Sequence, residues 1–121
     1  MSHITLFSKQ RLSAAILTFG IAFLSPVNAD TYDGDRDTNN RFHGKGTYTY
    51  LSGGSYDGKW VHGQKSGQGK RTWADGTVYE GEWENNTAQG KGIKTYNNGS
   101  QYSGHFINGE RAKQGTMKWR N

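Results

Sequence analysis

Beyond residue 30, aromatic residues or glycines at every second position alternate with polar residues. The clearest case is Tyr79-Glu80-Gly81-Glu82-Trp83, where two rings and a glycine alternate with two glutamates. Alternation with a period of two predicts half-buried β-strands. Asp75-Gly76 lies between this segment and another ring, Trp73, and an Asp-Gly turn between two such strands predicts a β-hairpin.

The hairpin pattern recurs with a period of 23 residues. Seven columns of glycine or aromatic residues keep this spacing, which indicates a stacked array of similar units. The columns are Gly44, Gly67 and Gly90; Gly46, Gly69, Gly92 and Gly115; Tyr50, Trp73, Tyr96 and Trp119; Gly53, Gly76 and Gly99; Tyr56, Tyr79 and Tyr102; Gly58, Gly81 and Gly104; and Trp60, Trp83 and Phe106.

The period predicts an all-β chain of consecutive β-hairpins with incomplete units at both ends, as in stacked arrays whose ends face water. The N-terminal unit matches the second half of a repeat, with one residue inserted before the next Gly-x-Gly. The predicted parts are a signal peptide at 1–29, a degenerate half-repeat or cap at 30–43, repeats at 44–66, 67–89 and 90–112, and a C-terminal half-repeat at 113–121.

The first 29 residues differ in composition from the repeats. Lys9 and Arg11 precede an uncharged apolar run over 12–24, Pro26 follows it, and small residues lead to Ala29. A basic end, a short apolar centre and small residues before a cut predict a secretory signal peptide cleaved after Ala29. The alternative is a membrane anchor, but the run is shorter than the roughly 20 residues that span a bilayer. The prediction is a periplasmic or secreted protein, with a bacterial source favoured.

Composition narrows the class of protein further. The 121 residues include 18 glycines, one proline and no cysteine, so a disulfide scaffold or a thiolate site is excluded. Four Trp, seven Tyr and five Phe are too many aromatic residues for a disordered tail. The net charge is +5, but loss of residues 1–29 leaves 13 basic against 10 acidic residues, a net charge of +3. This mild basicity does not predict a nucleic-acid partner.

The repeated pattern resembles the MORN repeat (membrane occupation and recognition nexus). Its form is Gly-x-Gly-x-x-x-Tyr/Trp-x-x-Gly-x-x-Tyr-x-Gly-x-Trp/Phe-x-x-Gly, and residues 67–83 match it best. The resemblance covers about residues 44–119. Asn86 and Lys113 depart from it, since each replaces a glycine. Gly- and aromatic-rich cell-wall-binding repeats are the runner-up, but the spacing and the Tyr-x-Gly-x-Trp segment favour MORN.

The resemblance implies a single-layer, twisted antiparallel meander with aromatic rings packed along one side. It implies a spacer, scaffold, dimerisation module or lipid binder, and no enzyme or cofactor. The rings are either the core of the repeat or a surface for a peptide, a glycan or a second copy of the chain. The candidate partner-binding face consists of Tyr50, Tyr56, Trp60, Trp73, Tyr79, Trp83, Tyr96, Tyr102, Phe106 and Trp119.

Basic residues offer a second candidate surface, for anionic headgroups. The candidate anion contacts are Lys45, Lys70, Arg71, Lys91 and Lys94. Each basic residue near a membrane surface contributes about 1 kcal/mol of attraction. A stripe of glutamates, Glu80, Glu82 and Glu84, interrupts them, and we expect it to form a solvated, charge-paired face.

Metal and catalytic chemistry have weak support in the sequence. His43, His62 and His105 share no repeat column and lack the spacing of metal ligands, so no metal site is predicted. The acidic lead-in Asp33-Gly34-Asp35-Arg36-Asp37 begins like a calcium loop but lacks the later glycine and glutamate, and we expect it to be solvated. No catalytic residue is predicted.

The sequence therefore predicts a non-enzymatic exported module for protein–protein or cell-envelope association. The partner is an unidentified protein or envelope component, and self-association into a homo-oligomer is one form of this function. The alternative is binding of an anionic lipid headgroup or a glycan by the aromatic and basic surface, with membrane lipid the weaker case.

Overall fold

The computed structural model describes residues 9–10 and 28–120. In this part of the chain, nine strands and no helix are found, and the strands form one antiparallel sheet in chain order. The predicted all-β, single-layer meander of hairpins is confirmed. The strands are β1 (Lys9–Gln10), β2 (Thr31–Arg36), β3 (Phe42–Thr49), β4 (Gly54–Val61), β5 (Gln64–Trp73), β6 (Val78–Glu84), β7 (Thr87–Thr95), β8 (Gln101–Ile107) and β9 (Glu110–Lys118).

The boundaries of the 23-residue period fall inside strands. Residues 66 and 67 both lie in β5, which runs from the turn after β4 to the turn before β6. Each long strand therefore closes one repeat and opens the next, which makes the sheet continuous. The short β1 pairs with Gly34 and Asp35 of β2 and lies in the segment for which cleavage is predicted.

Two kinds of turn alternate along the sheet. At one edge, loops such as Trp73–Thr77 close with the Trp73 N–H donating to the Thr77 carbonyl at 2.8 Å, and Gly76 has a φ of 93° that favours glycine. At the other edge, two-residue turns have positive φ at both positions, the type I′ geometry that suits twisted hairpins. These turns are His62-Gly63, Asn85-Asn86 and Asn108-Gly109. Asparagine tolerates left-handed backbone, so Asn86 replaces glycine there and the hairpin is kept.

The core is a ladder of aromatic rings on one face of the sheet. Its buried members are Tyr56, Trp60, Tyr79, Trp83, Tyr102 and Phe106. Neighbours meet edge to face: the ring centroids of Tyr56 and Trp83 are 5.1 Å apart at 84°, and those of Tyr79 and Trp83 are 5.3 Å apart at 85°. Each tryptophan thus contacts a tyrosine of its own repeat and one of the repeat before, which ties the units together. Such pairs contribute about 0.5–1.5 kcal/mol beyond the area that they bury.

Paired glycines make room for each tyrosine of the ladder. Gly58 of β4 lies directly opposite Gly69 of β5, and the Tyr56 ring lies over this pair. A Cβ on Gly69 would overlap the Tyr56 hydroxyl and ring, so the strand needs glycine here. The hydroxyl of Tyr56 donates to the Lys59 carbonyl at 2.9 Å.

The polar atoms of the ladder are satisfied in the same way in successive repeats. The Tyr79 hydroxyl donates to the Glu82 carbonyl at 2.9 Å, as that of Tyr56 does to its own strand. The Trp83 Nε1–H donates to the Gly69 carbonyl at 3.1 Å, and Trp60 makes the same bond to Gly46 at 3.1 Å. These hydrogen bonds fix the orientation of the rings, in addition to the packing that buries them.

The opposite face is polar, as the alternation predicted. Lys70 of β5 lies across from Glu80 of β6, and the Lys91 N–H donates to Glu82 Oε1 at 2.9 Å. These side chains are exposed, and cross-strand charge pairs of this kind contribute about 0.2–1 kcal/mol each. Because nothing in the described chain covers this face, the sheet has a core on one side only.

Burial of the ladder predicts a loss of stability at alkaline pH. Desolvation, together with the nearby charge of Glu82, raises the pKa of Tyr79 from 10.0 to about 12. A folded-state pKa above the unfolded value means that this contribution to stability is complete below pH 10 and is lost as pH rises toward 12. We expect the free energy of unfolding to fall across this range, measured by denaturant titration at several pH values. Tyr79→Phe should reduce that fall, and an unchanged slope in the variant would contradict the assignment.

Candidate functional site

Six of the ten rings in the predicted partner-binding face belong to the core. Tyr56 is 0% exposed and Trp83 is 8% exposed, and the other four ladder rings are buried as well. They pack on one another and on glycine backbone, so most of their surface is unavailable to a partner, and only the parts of Tyr79, Trp83 and Phe106 that line a cleft face outward. The four remaining rings are Tyr50, Trp73, Tyr96 and Trp119, which form one column of the period.

This column lies at the edge of the sheet that carries the longer turns. Tyr50, Trp73 and Tyr96 are half-buried and pack against the core, whereas Trp119 is 70% exposed. Trp119 follows the last strand, and no further repeat covers it in the described chain. The sequence period predicts the same role for all four, because it does not show which of them is covered by a neighbouring repeat.

Cations stack between the rings of this column. The Arg71 guanidinium lies 4.0 Å from the Tyr50 ring centroid and 4.9 Å from that of Trp73. The Lys94 ammonium lies 5.3 Å from the Trp73 centroid and 5.4 Å from that of Tyr96. We call these five residues the ring–cation band. Cation–π contacts of this kind contribute about 0.5–1 kcal/mol at exposed sites and more when water is excluded.

A cleft beside the band is lined by a third basic residue, Lys65. Lys65 reaches it from the start of β5, with its ammonium 5.5 Å from the Tyr56 ring centroid and 5.7 Å from that of Trp83. The cleft measures about 210 Å³, and Lys65, Arg71 and Lys94 all line it. The Arg71 Nε is buried without a hydrogen-bond partner. None of the three cations forms an ion pair with a described carboxylate, so the cleft has positive charge and a free donor for an anionic group.

The predicted anion contacts lie on both faces of the sheet. Arg71 and Lys94 belong to the ring–cation band. Lys70 alternates with Arg71 along β5 and faces Glu80 on the polar side, and Lys91 lines a shallow surface there with Glu82. Lys45 lies across from Lys59 on that same side. The structure therefore does not bring the five together, because the pleat sends adjacent residues to opposite faces.

The edge of the sheet with the short turns holds a cluster that the sequence did not predict. His43 of β3, His62 of the β4–β5 turn and Asp37 of the β2–β3 loop place ligand-type atoms within 4.8 Å of one another. His62 Nδ1 is 2.9 Å from Asp37 Oδ2, and the His62 N–H donates to His43 Nδ1 at 3.1 Å. Arg41 donates from Nε to the same Asp37 oxygen at 2.9 Å. His105 lies elsewhere, across from Lys91 on the polar face.

Asp37 is held as an ionised carboxylate within this cluster. Desolvation acts to raise the pKa of its carboxyl, but hydrogen bonds from His62 and from the N–H groups of Arg41 and Asn39 outweigh it and hold the pKa well below its usual range. Asp37 is therefore engaged by protein donors rather than solvated, as the acidic lead-in was expected to be. Asp33 lies on β2 across from Thr47.

A spacing of 19 residues links the two histidines, and another repeat shows it as well. The Asn108 N–H donates to Gln89 Oε1 at 2.7 Å, the same turn-to-strand contact as His62 to His43. A search for side-chain pairs at this spacing would have found the histidines. Asp37 has no such signal, because it lies in the loop that contains the inserted residue.

Most of the chain matches a known repeat family. The MORN repeat model matches residues 38–55, 56–78, 79–101 and 102–121. The chain belongs to the MORN repeat family. The match divides the chain at other residues than our repeats do, but with the same 23-residue period in its complete central units. No curated protein matches the chain.

MORN repeats are generally involved in protein or membrane association, and MORN repeat proteins are typically non-catalytic modules. In the part of the chain that the structure describes, no helix has the length and apolar character needed to cross a membrane.

The difference in burial between Trp83 and Trp119 predicts different losses of stability when each is replaced. Trp83→Ala removes a buried ring and its hydrogen bond, so we expect a loss of about 3–5 kcal/mol in the free energy of unfolding. Trp119→Ala removes an exposed ring from the same face, and we expect a change within about 0.5 kcal/mol. Denaturant titration measures both. Similar losses in the two variants would show that Trp119 is part of the core.

Proposed function

We propose that the protein is an exported, non-enzymatic association module that binds an acidic protein or cell-envelope component along the ring–cation band. The observation that carries this proposal is the set of three cations, Lys65, Arg71 and Lys94, stacked among rings without an ion pair to a described carboxylate. Half-buried rings supply apolar contact area, and the cations select a negatively charged partner.

The repeated geometry suits an extended partner. Arg71 and Lys94 are one period apart, so they lie at equivalent places in successive repeats, each between two rings. A partner with acidic groups at regular intervals meets the same chemistry twice. The cost of ordering the two side chains is already met, because the rings hold them in place.

A second candidate is an anionic lipid headgroup or an acidic glycan. The cleft of about 210 Å³ supports it, because three cations and the unpartnered Arg71 Nε converge on a space suited to one compact anionic group. Phosphate, sulfate and carboxylate are all recognised by arginine through charge-assisted hydrogen bonds. The two candidates differ in whether binding depends on the whole band or on the cleft alone.

Self-association is the form of this function that needs no second component. β9 is the outermost strand of the described sheet, and the unpaired backbone groups of such a strand can pair with another chain. Lys113 and Lys118 lie on this strand, and their charges discourage pairing that is not specific. Light scattering after size exclusion tests it, since a monomer at all concentrations would contradict it.

The binding proposal predicts a face-specific effect of charge removal. Arg71→Gln with Lys94→Gln should weaken binding to an acidic polypeptide by about tenfold or more, because both cations are central to the band. Lys70→Gln with Lys91→Gln is the matched control: it removes the same charge from the same two strands on the opposite face, and it should leave affinity within about twofold. Binding of poly-glutamate, phosphatidylglycerol vesicles and an acidic glycan is measured in parallel. Equal losses in both double variants would contradict a specific site.

The contacts of Asp30 are compatible with a cut directly before it, which would leave the start of the repeat array intact. Asp30, the residue after the predicted cut, accepts hydrogen bonds from the Tyr48 hydroxyl at 2.7 Å and from the Leu51 N–H at 2.7 Å. The repeat array is thus anchored from its first residue after Ala29.

The export proposal predicts the N-terminus of the mature protein. When the full chain is expressed in a bacterial host with a C-terminal tag, we expect the exported fraction to begin at Asp30, as read by mass spectrometry. Replacing the small residue before the cut, Ala29→Arg, should block processing, because the cleavage site needs a small side chain. An exported protein that retains residues 1–29 would contradict the cleavage.

A further inference from the structure

We propose that Asp37, His43 and His62 form a binding site for a divalent transition-metal ion such as Zn²⁺, which fastens the β2–β3 loop to the β4–β5 turn. This inference is independent of the association proposed above, since the cluster lies at the opposite edge of the sheet from the ring–cation band. Two imidazoles and one carboxylate are ligands typical of zinc sites, and water completes the coordination.

The carboxylate is already oriented toward such an ion. Asp37 Oδ1 accepts the N–H groups of Asn39 and Arg41 at 2.8 and 2.9 Å, so this oxygen is occupied and fixes the side chain. The other oxygen, Oδ2, faces the His62 ring. Arg36 steadies the same loop by donating to the Asn40 carbonyl at 2.9 Å. Outer hydrogen bonds of this kind hold metal ligands in place.

Two contacts of His62 Nδ1 make opposite demands on that nitrogen. This atom lies 2.9 Å from Asp37 Oδ2, which needs a donor, and 3.1 Å from Arg41 Nη2, which is a donor and needs an acceptor. One ring nitrogen cannot serve both roles in the same protonation state. A metal ion between Nδ1 and Oδ2 accepts electron pairs from both, and it takes the position in which the Arg41 guanidinium now neutralises the carboxylate.

The rearrangement needed for binding is local. Ligand atoms in a tetrahedral zinc site lie about 3.4 Å apart, given zinc–ligand bonds of about 2.0–2.2 Å. The 2.9 Å between His62 Nδ1 and Asp37 Oδ2 must therefore lengthen, and the widest separation in the cluster, up to 4.8 Å, must shorten. The side chains that move, His62 and Arg41, are 54% and 47% exposed. The rings of His43 and His62 now stack with centroids 4.7 Å apart, so the His62 ring turns out of this stack. Coordination through His43 Nδ1 takes that atom from the His62 backbone N–H, which then bonds to water.

Other repeats show what the same positions look like in a purely structural role. The turn position of His62 is occupied by Asn85 and Asn108, both with positive φ. The acceptor position of His43 is occupied by Gln89, whose Oε1 binds the Asn108 N–H at 2.7 Å. Asparagine and glutamine therefore meet the demands of the turn. Imidazoles occupy both positions where the N-terminal cap supplies His43 and the first repeat supplies His62, beside the loop that carries the inserted residue.

These equivalents define a test that separates metal binding from folding. His43→Gln with His62→Asn keeps the turn contact seen in the third repeat and removes both imidazoles. We expect the parent protein to bind one Zn²⁺ by calorimetry near neutral pH, and the double variant to bind it at least about tenfold more weakly. Its circular dichroism and unfolding without metal should match the parent. All proteins carry His3→Ala, which removes the histidine of the predicted signal peptide, and His105→Ala serves as the control that should retain full affinity.

Arg41→Gln gives a result that a structural role does not predict. Removing the resident cation should strengthen Zn²⁺ binding by about threefold or more, because the ion no longer competes with a guanidinium for Asp37. Added Zn²⁺ should raise the unfolding temperature of the parent and of Arg41→Gln but not of the double variant. Absence of saturable binding in the parent, equal loss in His105→Ala, or weaker binding in Arg41→Gln would each overturn the proposal.

Discussion

The edge-to-face stacking of rings above paired glycines is the interaction on which the rest of the structure depends. Each tyrosine of the ladder lies over a glycine pair on two neighbouring strands, and the hydroxyls of Tyr56 and Tyr79 each donate to a carbonyl of their own strand. Because a ring of the following repeat packs on each of these two tyrosines, Trp83 on Tyr56 and Phe106 on Tyr79, the units are joined by the same kind of contact that forms the core of each. A one-layer sheet has no second sheet or helix to bury its apolar face, so the rings must provide both functions.

This constraint decides which residues are available for function. The ladder rings are fixed in position and identity, since a larger neighbour than glycine would displace them. Positions at the two edges of the sheet are less restricted, because the turns there contact the core through few atoms. Arg71 and Lys94 occupy one such column, and the same column holds Tyr48 in the first repeat and Met117 in the C-terminal half-repeat. The two cations of the ring–cation band therefore belong to the second and third repeats, at a position that the fold leaves open.

Much of the fold was predictable from the sequence because the same glycine and aromatic positions recur in each repeat. The spacing of Gly58, Gly81 and Gly104 identifies both the strands and the face that carries the rings. Burial was less predictable: Trp73 and Trp83 are both tryptophans of one repeat and one face, yet one is half exposed and the other is core. Periodicity gives the side of the sheet, whereas exposure depends on the distance from the ladder and on what the adjacent repeat supplies.

The cluster at the short-turn edge was missed for a different physical reason. Asp37 and His62 are 25 residues apart, which is close to one period but offset from it by the inserted residue and the length of the loop. Aligning the repeats compares equivalent positions. The contact between Asp37 in one loop and His62 in a later turn joins positions that are not equivalent, so the alignment does not reveal it. In this repeat the ladder requires a ring or a glycine at the same positions of every unit, so a position whose side chain varies freely between units is not under that requirement. Histidine in place of asparagine and an extra residue in the facing loop coincide at one edge, where the fold demands neither.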